Sequence, residues 1–190
     1  MAFRGVLDFV KKAHAGQKYP EDGMEYWRHL DEVAKILANC LYVFGEGESR
    51  DLIIAGYLHD ILEDTSVTID EIKEKYGGNV AELVEGMTNK QGDKQTKEYV
   101  ESVASGKEEI RLIKLADLYS NYTRVSKLVQ DHWKRYDEVV VPIMEPMYNE
   151  IIKTEFVKFK KTGDFLKSLV IISRRLALNA IHIAKVENGS

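Results

Sequence analysis

The fold is decided by the stretch Tyr57-Leu58-His59-Asp60-Ile61-Leu62-Glu63-Asp64-Thr65, in which four ionisable residues stand among apolar ones. On a helix that turns by about 100° per residue, those four side chains fall within an arc of roughly 140°. Apolar residues of the same segment fill the opposite side. The stretch therefore predicts a helix with one apolar face and one face that carries an imidazole and three carboxylates. Folding does not require such a polar face, but a metal site with a catalytic acid–base pair does.

The length and composition of the chain are those of one ordinary globular domain. It has 190 residues, of which 44% are hydrophobic and 31% charged. The formal net charge is −4, whereas domains that bind nucleic acid are usually basic, so we expect no nucleic-acid partner. The single cysteine, Cys40, cannot form a disulfide within the chain, and no segment reaches the roughly 18 apolar residues of a membrane span. We therefore expect a cytoplasmic protein without membrane association.

Apolar residues recur at helical spacing along nearly the whole chain, which predicts an all-α fold. The expected helices cover about residues 3–15, 26–44, 68–76, 79–87, 97–104 and 107–128, and a further helix carries the opening stretch. Ser49 is the expected N-cap of that further helix, and Thr68 with Glu71 has the spacing of a capping box. The polar segment 88–96 is predicted to be a loop.

The C-terminal third of the chain continues the helical pattern. Residues 133–161 are predicted to be helical with a break or kink at Pro142 and Pro146. Asp164 is the expected cap of a last helix that ends near Val186. No linker separates these segments from the rest, so we expect one domain over residues 1–190.

Two imidazoles and two carboxylates form the metal-binding set that the sequence suggests. His59 and Asp60 are adjacent, His29 lies near the start of the second predicted helix, and Asp117 interrupts a nearly apolar one. An unpaired carboxylate buried there would be unfavourable. Nitrogen and oxygen ligands with positions left for water suit Mn²⁺, Fe²⁺ or Zn²⁺. Taken singly, His29 could be a structural histidine whose hydrogen bonds are satisfied, and Asp117 could be a buried structural acceptor. Their occurrence together with the acidic residues Glu63 and Asp64 of the opening stretch favours the metal site.

The helix that carries Asp117 places further polar groups on the same side. Asn121, Arg124 and Lys114 share an arc of about 80° with Asp117. An amide and two cations beside a metal are suitable contacts for phosphate or ribose. The alternative for Arg124 and Lys114 is salt bridging at the helix surface.

Six segments within about residues 3–125 have the order and spacing of one family's motifs. They are Ala13-His14-Ala15-Gly16-Gln17, Gly23-Met24-Glu25-Tyr26-Trp27-Arg28-His29, Leu58-His59-Asp60-Ile61-Leu62-Glu63-Asp64-Thr65, Tyr76-Gly77-Gly78-Asn79-Val80, Leu83-Val84-Glu85-Gly86-Met87-Thr88 and Ile113-Lys114-Leu115-Ala116-Asp117. With them the chain resembles the HD-domain phosphohydrolases, and among these the hydrolase domain of the Rel/Spo alarmone enzymes and the stand-alone small alarmone hydrolases. The resemblance implies a single HD-domain helical bundle. We expect the helices of residues 131–186, which lie beyond the matched segments, to pack on it.

The resemblance also implies an activity and the residues that support it. The activity is that of a metal-dependent guanosine-3′,5′-bis(diphosphate) 3′-pyrophosphohydrolase, which converts (p)ppGpp to GDP or GTP and pyrophosphate. The implied metal, usually manganese, would be held by His29, His59, Asp60 and Asp117. The implied acidic pair that activates water is Glu63 with Asp64. The implied substrate contacts are Lys18, Tyr26, Asn121 and Arg124.

Three departures from the family pattern concern the wall of the site and not its centre. Leu30 follows the first ligand where the family usually has proline, and Leu118 follows Asp117 where a basic residue is common. Arg124 lies seven positions after that aspartate, whereas the family's arginine usually lies six after. These departures leave two alternatives open. One is a metal-dependent phosphatase of another nucleotide or phosphorylated cofactor such as NADPH, and the other is a non-catalytic sensor that binds alarmone. The oligomeric state is not indicated by the sequence.

Overall fold

The computed structural model of the protein describes residues 3–47, 49–89 and 96–188, and these ranges are mostly helical and contain no β-strand. The predicted all-α fold class is therefore confirmed. The helices are α1 (Arg4–Ala13), α2 (Trp27–Phe44), α3 (Arg50–Leu58), α4 (Ile61–Asp64), α5 (Ile69–Tyr76), α6 (Gly78–Met87), α7 (Lys97–Ser105), α8 (Glu108–Arg135), α9 (Val141–Ile151) and α10 (Lys160–Glu187), with a π-helical segment, Tyr136–Val140, after α8. Most of the predicted loop 88–96 lies outside the described residues. No described helix has the length and hydropathy needed to cross a bilayer.

Helix α8 is the central element of the fold. It packs against α10 along much of its length and also contacts α2, α3, α6 and α7. Its first half is apolar nearly all round, and residues such as Ile113, Leu115 and Ala116 are fully buried. A helix buried on every side cannot turn its polar residues to solvent, so those of α8 must find partners in the interior.

The opening stretch is not one continuous helix, so that part of the prediction is wrong. Helix α3 ends at Leu58 and α4 begins at Ile61, while Asp60 has backbone angles of φ −106° and ψ 1°. The Nδ1 of His59 hydrogen-bonds the carbonyl oxygen of Gly56 at 2.9 Å. In a continuous helix that oxygen would accept from the N–H of residue 60, four positions on. The break therefore turns His59 and Asp60 inward together instead of spreading them around a helix.

Local capping signals were reliable where the cap and the helix are neighbours in sequence. The side chain of Ser49 accepts from the backbone N–H of Leu52, and the capping box of Thr68 and Glu71 is present with both of its bonds. Both predicted caps are confirmed.

Three predicted boundaries in the C-terminal part are wrong. Helix α8 extends to Arg135 instead of ending near 128, and α9 ends at Ile151, ten residues before the predicted end at 161. Helix α10 begins at Lys160, which places Asp164 inside it. Its first turn is capped from a distance, because the carboxylate of Glu46 accepts the backbone N–H groups of Lys161 and Thr162 at 2.8 and 2.9 Å.

A second distant carboxylate fixes the segment that leads into α10. Glu108, at the start of α8, accepts the backbone N–H groups of Val157, Lys158 and Phe159 at 2.8, 3.2 and 3.0 Å. Burial alone would raise the pKa of Glu108, yet these N–H groups hold that pKa below its usual value. The ionised carboxylate therefore joins the α9–α10 connection to the central helix.

Replacing this carboxylate tests its contribution to stability. We expect Glu108→Ala to lower the free energy of unfolding at pH 7 by about 1–2 kcal/mol, because three backbone donors lose a charged acceptor. Because folding lowers the pKa of Glu108, its contribution to stability is fully present above the pKa of a glutamate in the unfolded chain. That contribution is lost as the pH falls through the pKa of Glu108 in the folded protein. Urea unfolding of Glu108→Ala and of the unaltered protein at several pH values measures the difference in their free energies of unfolding.

The matched control is Glu101→Ala, which removes an exposed carboxylate paired with Lys97 at 3.5 Å. Its cost should stay within about 0.5 kcal/mol at every pH. Equal losses for the two variants would contradict the anchoring role of Glu108.

Candidate metal centre

Three parts of the fold bring His29, His59, Asp60 and Asp117 to one point of the interior. His29 lies on α2, Asp117 on α8, and the other two residues in the turn between α3 and α4. The Nε2 atom of His29 lies 3.1 Å from Oδ1 of Asp117, and Nε2 of His59 lies 3.7 Å from the same oxygen. Oδ2 of Asp60 lies 3.2 Å from Nε2 of His59. Single ligand atoms of His29, His59 and Asp117 all lie within 4.8 Å of one another, a spacing that one metal ion can bridge.

Both imidazoles are oriented through their Nδ1 atoms. Nδ1 of His29 lies 3.1 Å from the hydroxyl oxygen of Ser120, and that hydroxyl donates to Oε2 of Glu32 at 3.0 Å. Because the hydroxyl hydrogen is given to Glu32, the serine oxygen is free to accept from Nδ1–H of His29. Nδ1–H of His59 likewise donates to a backbone carbonyl. With Nδ1 of each ring engaged in this way, each Nε2 is directed at the centre, which is the orientation a metal ligand needs.

The chemistry of the buried donors fits a divalent cation. Nε2 of His59 is buried and has no hydrogen-bond partner among the described residues. Burial lowers the pKa of His59, but the carboxylates of Asp60 and Asp117 outweigh that effect and raise it to about 10. The surroundings of this nitrogen therefore favour positive charge strongly. A cation bound between the imidazoles and carboxylates would replace the proton.

Asp117 is kept ionised by the polar side chains of its own helix. Nζ of Lys114 lies 3.0 Å from its Oδ2, and Nδ2 of Asn121 donates to its Oδ1 at 2.6 Å. Burial would raise the pKa of Asp117, yet Lys114 and the two imidazoles hold it well below its usual range. Lys114 is itself 6% exposed, so the alternative of a surface salt bridge is wrong for this lysine. Two of the three residues that share the arc of Asp117, Lys114 and Asn121, therefore contact its carboxylate.

The acidic pair of the opening stretch is held by hydrogen bonds from other segments. Nε2 of Gln17 donates to Oδ2 of Asp64 at 3.2 Å, and Oε1 of Gln17 lies 2.6 Å from Nδ1 of the buried His14. The backbone N–H of Asn89 donates to Oε1 of Glu63 at 3.0 Å. Because each carboxylate has one oxygen engaged in this way, each is fixed in orientation.

A cavity of about 240 Å³ is lined by three residues of the centre, His29, Asp60 and Asp117. Tyr26 and Asn121 line it, and the hydroxyl of Tyr26 donates to Oδ2 of Asp60 at 2.6 Å. The opposite wall is apolar and comes from the π-helical segment and α9. Its residues are Val139, Val140, Ile143, Met144 and Met147. Sequence reasoning missed this wall, because apolar residues at helical spacing look the same whether they face a core or a cavity.

The remaining two predicted substrate contacts lie at an adjoining cavity of about 310 Å³. Lys18 is exposed there. The guanidinium of Arg124 lies 3.7 Å from the centre of the Tyr19 ring and donates to Oδ1 of Asp22 at 2.7 Å. The structure thus brings Tyr26 and Asn121 to the centre itself and places Lys18 and Arg124 beside it.

Comparison with known sequences now identifies the family. The family described as "HD domain" matches residues 6–131. The chain belongs to the HD-domain family. The predicted resemblance to the alarmone branch is also confirmed by the names of its relatives.

Two of these relatives and one solved structure illustrate the similarity. The chain is 33% identical over 152 residues to a guanosine-3′,5′-bis(diphosphate) 3′-pyrophosphohydrolase of Aquifex aeolicus, covering 77% of this chain and 21% of that protein. It is 29% identical over 134 residues to the pyrophosphohydrolase MESH1 of Danio rerio, covering 67% and 71%. A solved structure described as a metazoan ortholog of SpoT that hydrolyzes ppGpp has a TM-score of 0.71 at 22% identity, covering 92% of this chain and 94% of that one. At that identity the structural likeness supports the fold alone.

Removing the serine that supports His29 tests the metal centre. We expect Ser120→Ala to weaken binding of Mn²⁺ about 10–100-fold, because Nδ1–H of His29 loses its acceptor and the ring its fixed orientation. Ser126→Ala is the matched control, since Ser126 lies on the same helix but bonds only the carbonyl oxygen of Tyr122 among the described contacts. Titration calorimetry measures the Mn²⁺ affinities of both variants. An unchanged affinity for Ser120→Ala would contradict the claim that Ser120 orients His29 for metal binding.

Proposed function

We propose that the protein is a metal-dependent 3′-pyrophosphohydrolase of guanosine alarmones, which converts (p)ppGpp to GDP or GTP and pyrophosphate. The observation that carries the proposal is the convergence of His29, His59, Asp60 and Asp117 in the interior. The acidic pair, Glu63 and Asp64, lies on the short helix that follows Asp60. The names of the relatives from Aquifex aeolicus and Danio rerio supply the substrate. The chain spans only about a fifth of the Aquifex protein, so the proposal concerns the hydrolytic domain.

The proposed metal is Mn²⁺. The Nε2 atoms of His29 and His59 and the carboxylates of Asp60 and Asp117 would hold it. Nitrogen and oxygen donors of this kind also accept Fe²⁺ or Zn²⁺, and the resemblance to the alarmone branch favours manganese. When bound, the ion would supply Lewis acidity, which lowers the pKa of water and polarises a phosphoryl oxygen. Asn121 and Lys114 would keep Asp117 ionised and aligned for this role.

The acidic pair would handle the proton of the attacking water. Oδ2 of Asp64 accepts from Gln17, which leaves Oδ1 to accept a hydrogen bond or a proton. Glu63, held by the backbone of Asn89, would orient the same water. The oxygen of that water would attack the phosphorus bound to the 3′ oxygen, and the bond between that phosphorus and the 3′ oxygen would break. The 3′ oxygen would take up a proton, and the diphosphate would leave with the oxygen of the water.

The two cavities suit the two ends of a nucleotide. The apolar wall around Ile143 and Met144 would cover the base, since flat aromatic groups bury well against aliphatic side chains. Lys18 and Arg124, at the adjoining cavity, would stabilise the negative charge of the phosphates.

Activity of the acidic-pair variants tests the proposal. With Mn²⁺ and ppGpp, the unaltered protein should release GDP and pyrophosphate. In water enriched in oxygen-18, the label should appear in the pyrophosphate. We expect Glu63→Gln and Asp64→Asn each to lower kcat by about 10²–10⁴-fold while the bound manganese is retained. Glu82→Gln serves as control, because Glu82 pairs with Lys107 away from the cavity.

No turnover of ppGpp by the metal-loaded protein would contradict the proposal. Full activity of both acidic-pair variants would contradict the assigned roles.

A phosphatase of another nucleotide is the second candidate, and one observation favours it. Leu118 lines the cavity at a position where the resemblance implies a basic residue. Fewer cations at this wall would suit a substrate with different phosphate positions, such as NADPH. A panel of nucleotides that includes ppGpp and NADPH decides between the two by kcat/KM. A preference for NADPH would replace the first proposal with the second.

A further inference from the structure

Helix α10 carries two apolar rows, of which one is buried in the core and the other is largely exposed within the described residues. The inner row packs toward α8 and the core, and its members are buried. They are Leu166, Val170, Ser173, Ala177, Ile181 and Ala184. The second row lies next to the first on the outer face of the same helix.

The outer row follows a heptad pattern without interruption. Its residues are Phe165, Leu169, Ile172, Leu176, Asn179, Ile183 and Val186, which follow one another at alternating steps of four and three. Six of the seven are large and apolar. Alternation of four and three is the pattern by which one helix pairs with another in a coiled coil.

The described part of the chain leaves most of this outer row exposed, although Leu169 is partly buried against the core and the Phe165 ring contacts that of Phe44, with 5.2 Å between the ring centres. Phe165 is 42% exposed, Ile172 55% and Leu176 57%, while Ile183 and Val186 are 52% and 64% exposed. Monomeric proteins rarely expose large apolar side chains in a continuous row of this length. None of these residues lines the cavity at the metal centre. The row therefore has a use other than substrate binding.

We propose that the outer row of α10 is a self-association surface, on which the same helix of a second copy of this chain packs in parallel. A heptad row is complemented by another heptad row, and a second copy supplies one with the same length and spacing. The row runs from Phe165 to Val186, so the seam would extend for about 32 Å. Burying six large apolar side chains from each copy would remove on the order of 1,000 Å² from water, which is near the lower limit for a specific interface.

Asn179 supports the parallel orientation. In a parallel pair it would meet Asn179 of the second copy, and two amides can hydrogen-bond each other inside an apolar seam. In the two antiparallel registers that align the rows, it would face Leu169 or Leu176, and in both its amide would be buried without a partner.

The charges beside the seam support the same orientation. In a parallel pair, His182 would lie beside Glu187 of the second copy, five positions further on, and these two groups attract or hydrogen-bond. In the antiparallel register that sets Asn179 against Leu169, Arg175 of one copy would face Arg175 of the other, and two like charges repel. The parallel pair therefore satisfies both the buried amide and the flanking charges.

The mass of the protein in solution tests the proposal. One chain has a mass of 21.8 kDa, so light scattering after gel filtration should give twice that value. Measurements from about 1 to about 100 µM should show the dimer at the higher concentrations, because association depends on concentration. Leu176→Lys should give the mass of one chain with an unchanged helical circular dichroism spectrum. Val157→Lys is the control, since Val157 is 85% exposed but lies outside the row, and it should stay dimeric.

A mass of one chain for the unaltered protein over the whole range would overturn the proposal. So would a dimer that Leu176→Lys does not dissociate.

Cross-linking tests the orientation. Asn179→Cys should form a disulfide-linked dimer under mild oxidation, because a parallel seam places the two introduced thiols within disulfide reach. Arg175→Cys should cross-link poorly. The native Cys40 is buried, and burial raises the pKa of its thiol to about 11, so the unaltered protein should not cross-link. Cross-linking of Arg175→Cys in place of Asn179→Cys would overturn the parallel arrangement.

Discussion

The rest of the structure depends on the carboxylate of Asp117, which is buried in the first half of α8. An uncompensated charge at that depth would be strongly unfavourable. Lys114 and Asn121 satisfy it from within α8, while His29 and His59 approach it from α2 and from the α3–α4 turn. The need to satisfy this one group therefore fixes how three helical segments pack together. The arrangement that satisfies Asp117 also brings together ligand atoms that could hold one metal ion.

Contacts within one helix could be predicted from the sequence with good accuracy. Asn121 and Lys114 were expected on the same arc as Asp117, and both contact it, because a regular helix preserves its periodicity over several turns. Arg124 shares that arc, yet its long side chain reaches Asp22 and Tyr19 instead. Periodicity gives the direction in which a side chain leaves the helix, and it does not give the partner that a flexible side chain finds.

Features that depend on residues far apart in the sequence could not be predicted. The Ser120–Glu32 support of His29 joins positions 88 residues apart, and the cap that Glu46 provides to α10 joins positions more than 100 apart. The break at His59 and Asp60 also escaped prediction, since a side chain took the place of a backbone donor in an otherwise regular pattern. The apolar wall of the cavity depends on where α9 lies, which local spacing does not specify. The family resemblance supplied the residues of the centre, because the order and spacing of their motifs are visible in the sequence. The contacts among these residues are not.

The central claim is that His29, His59, Asp60 and Asp117 together hold one divalent ion. Crystals grown with Mn²⁺ and measured at the manganese absorption edge test it most directly. The account predicts one strong anomalous peak within about 2.0–2.3 Å of both Nε2 atoms and of an oxygen of each aspartate. A peak elsewhere, or a site without signal in crystals that contain the ion, would contradict the account.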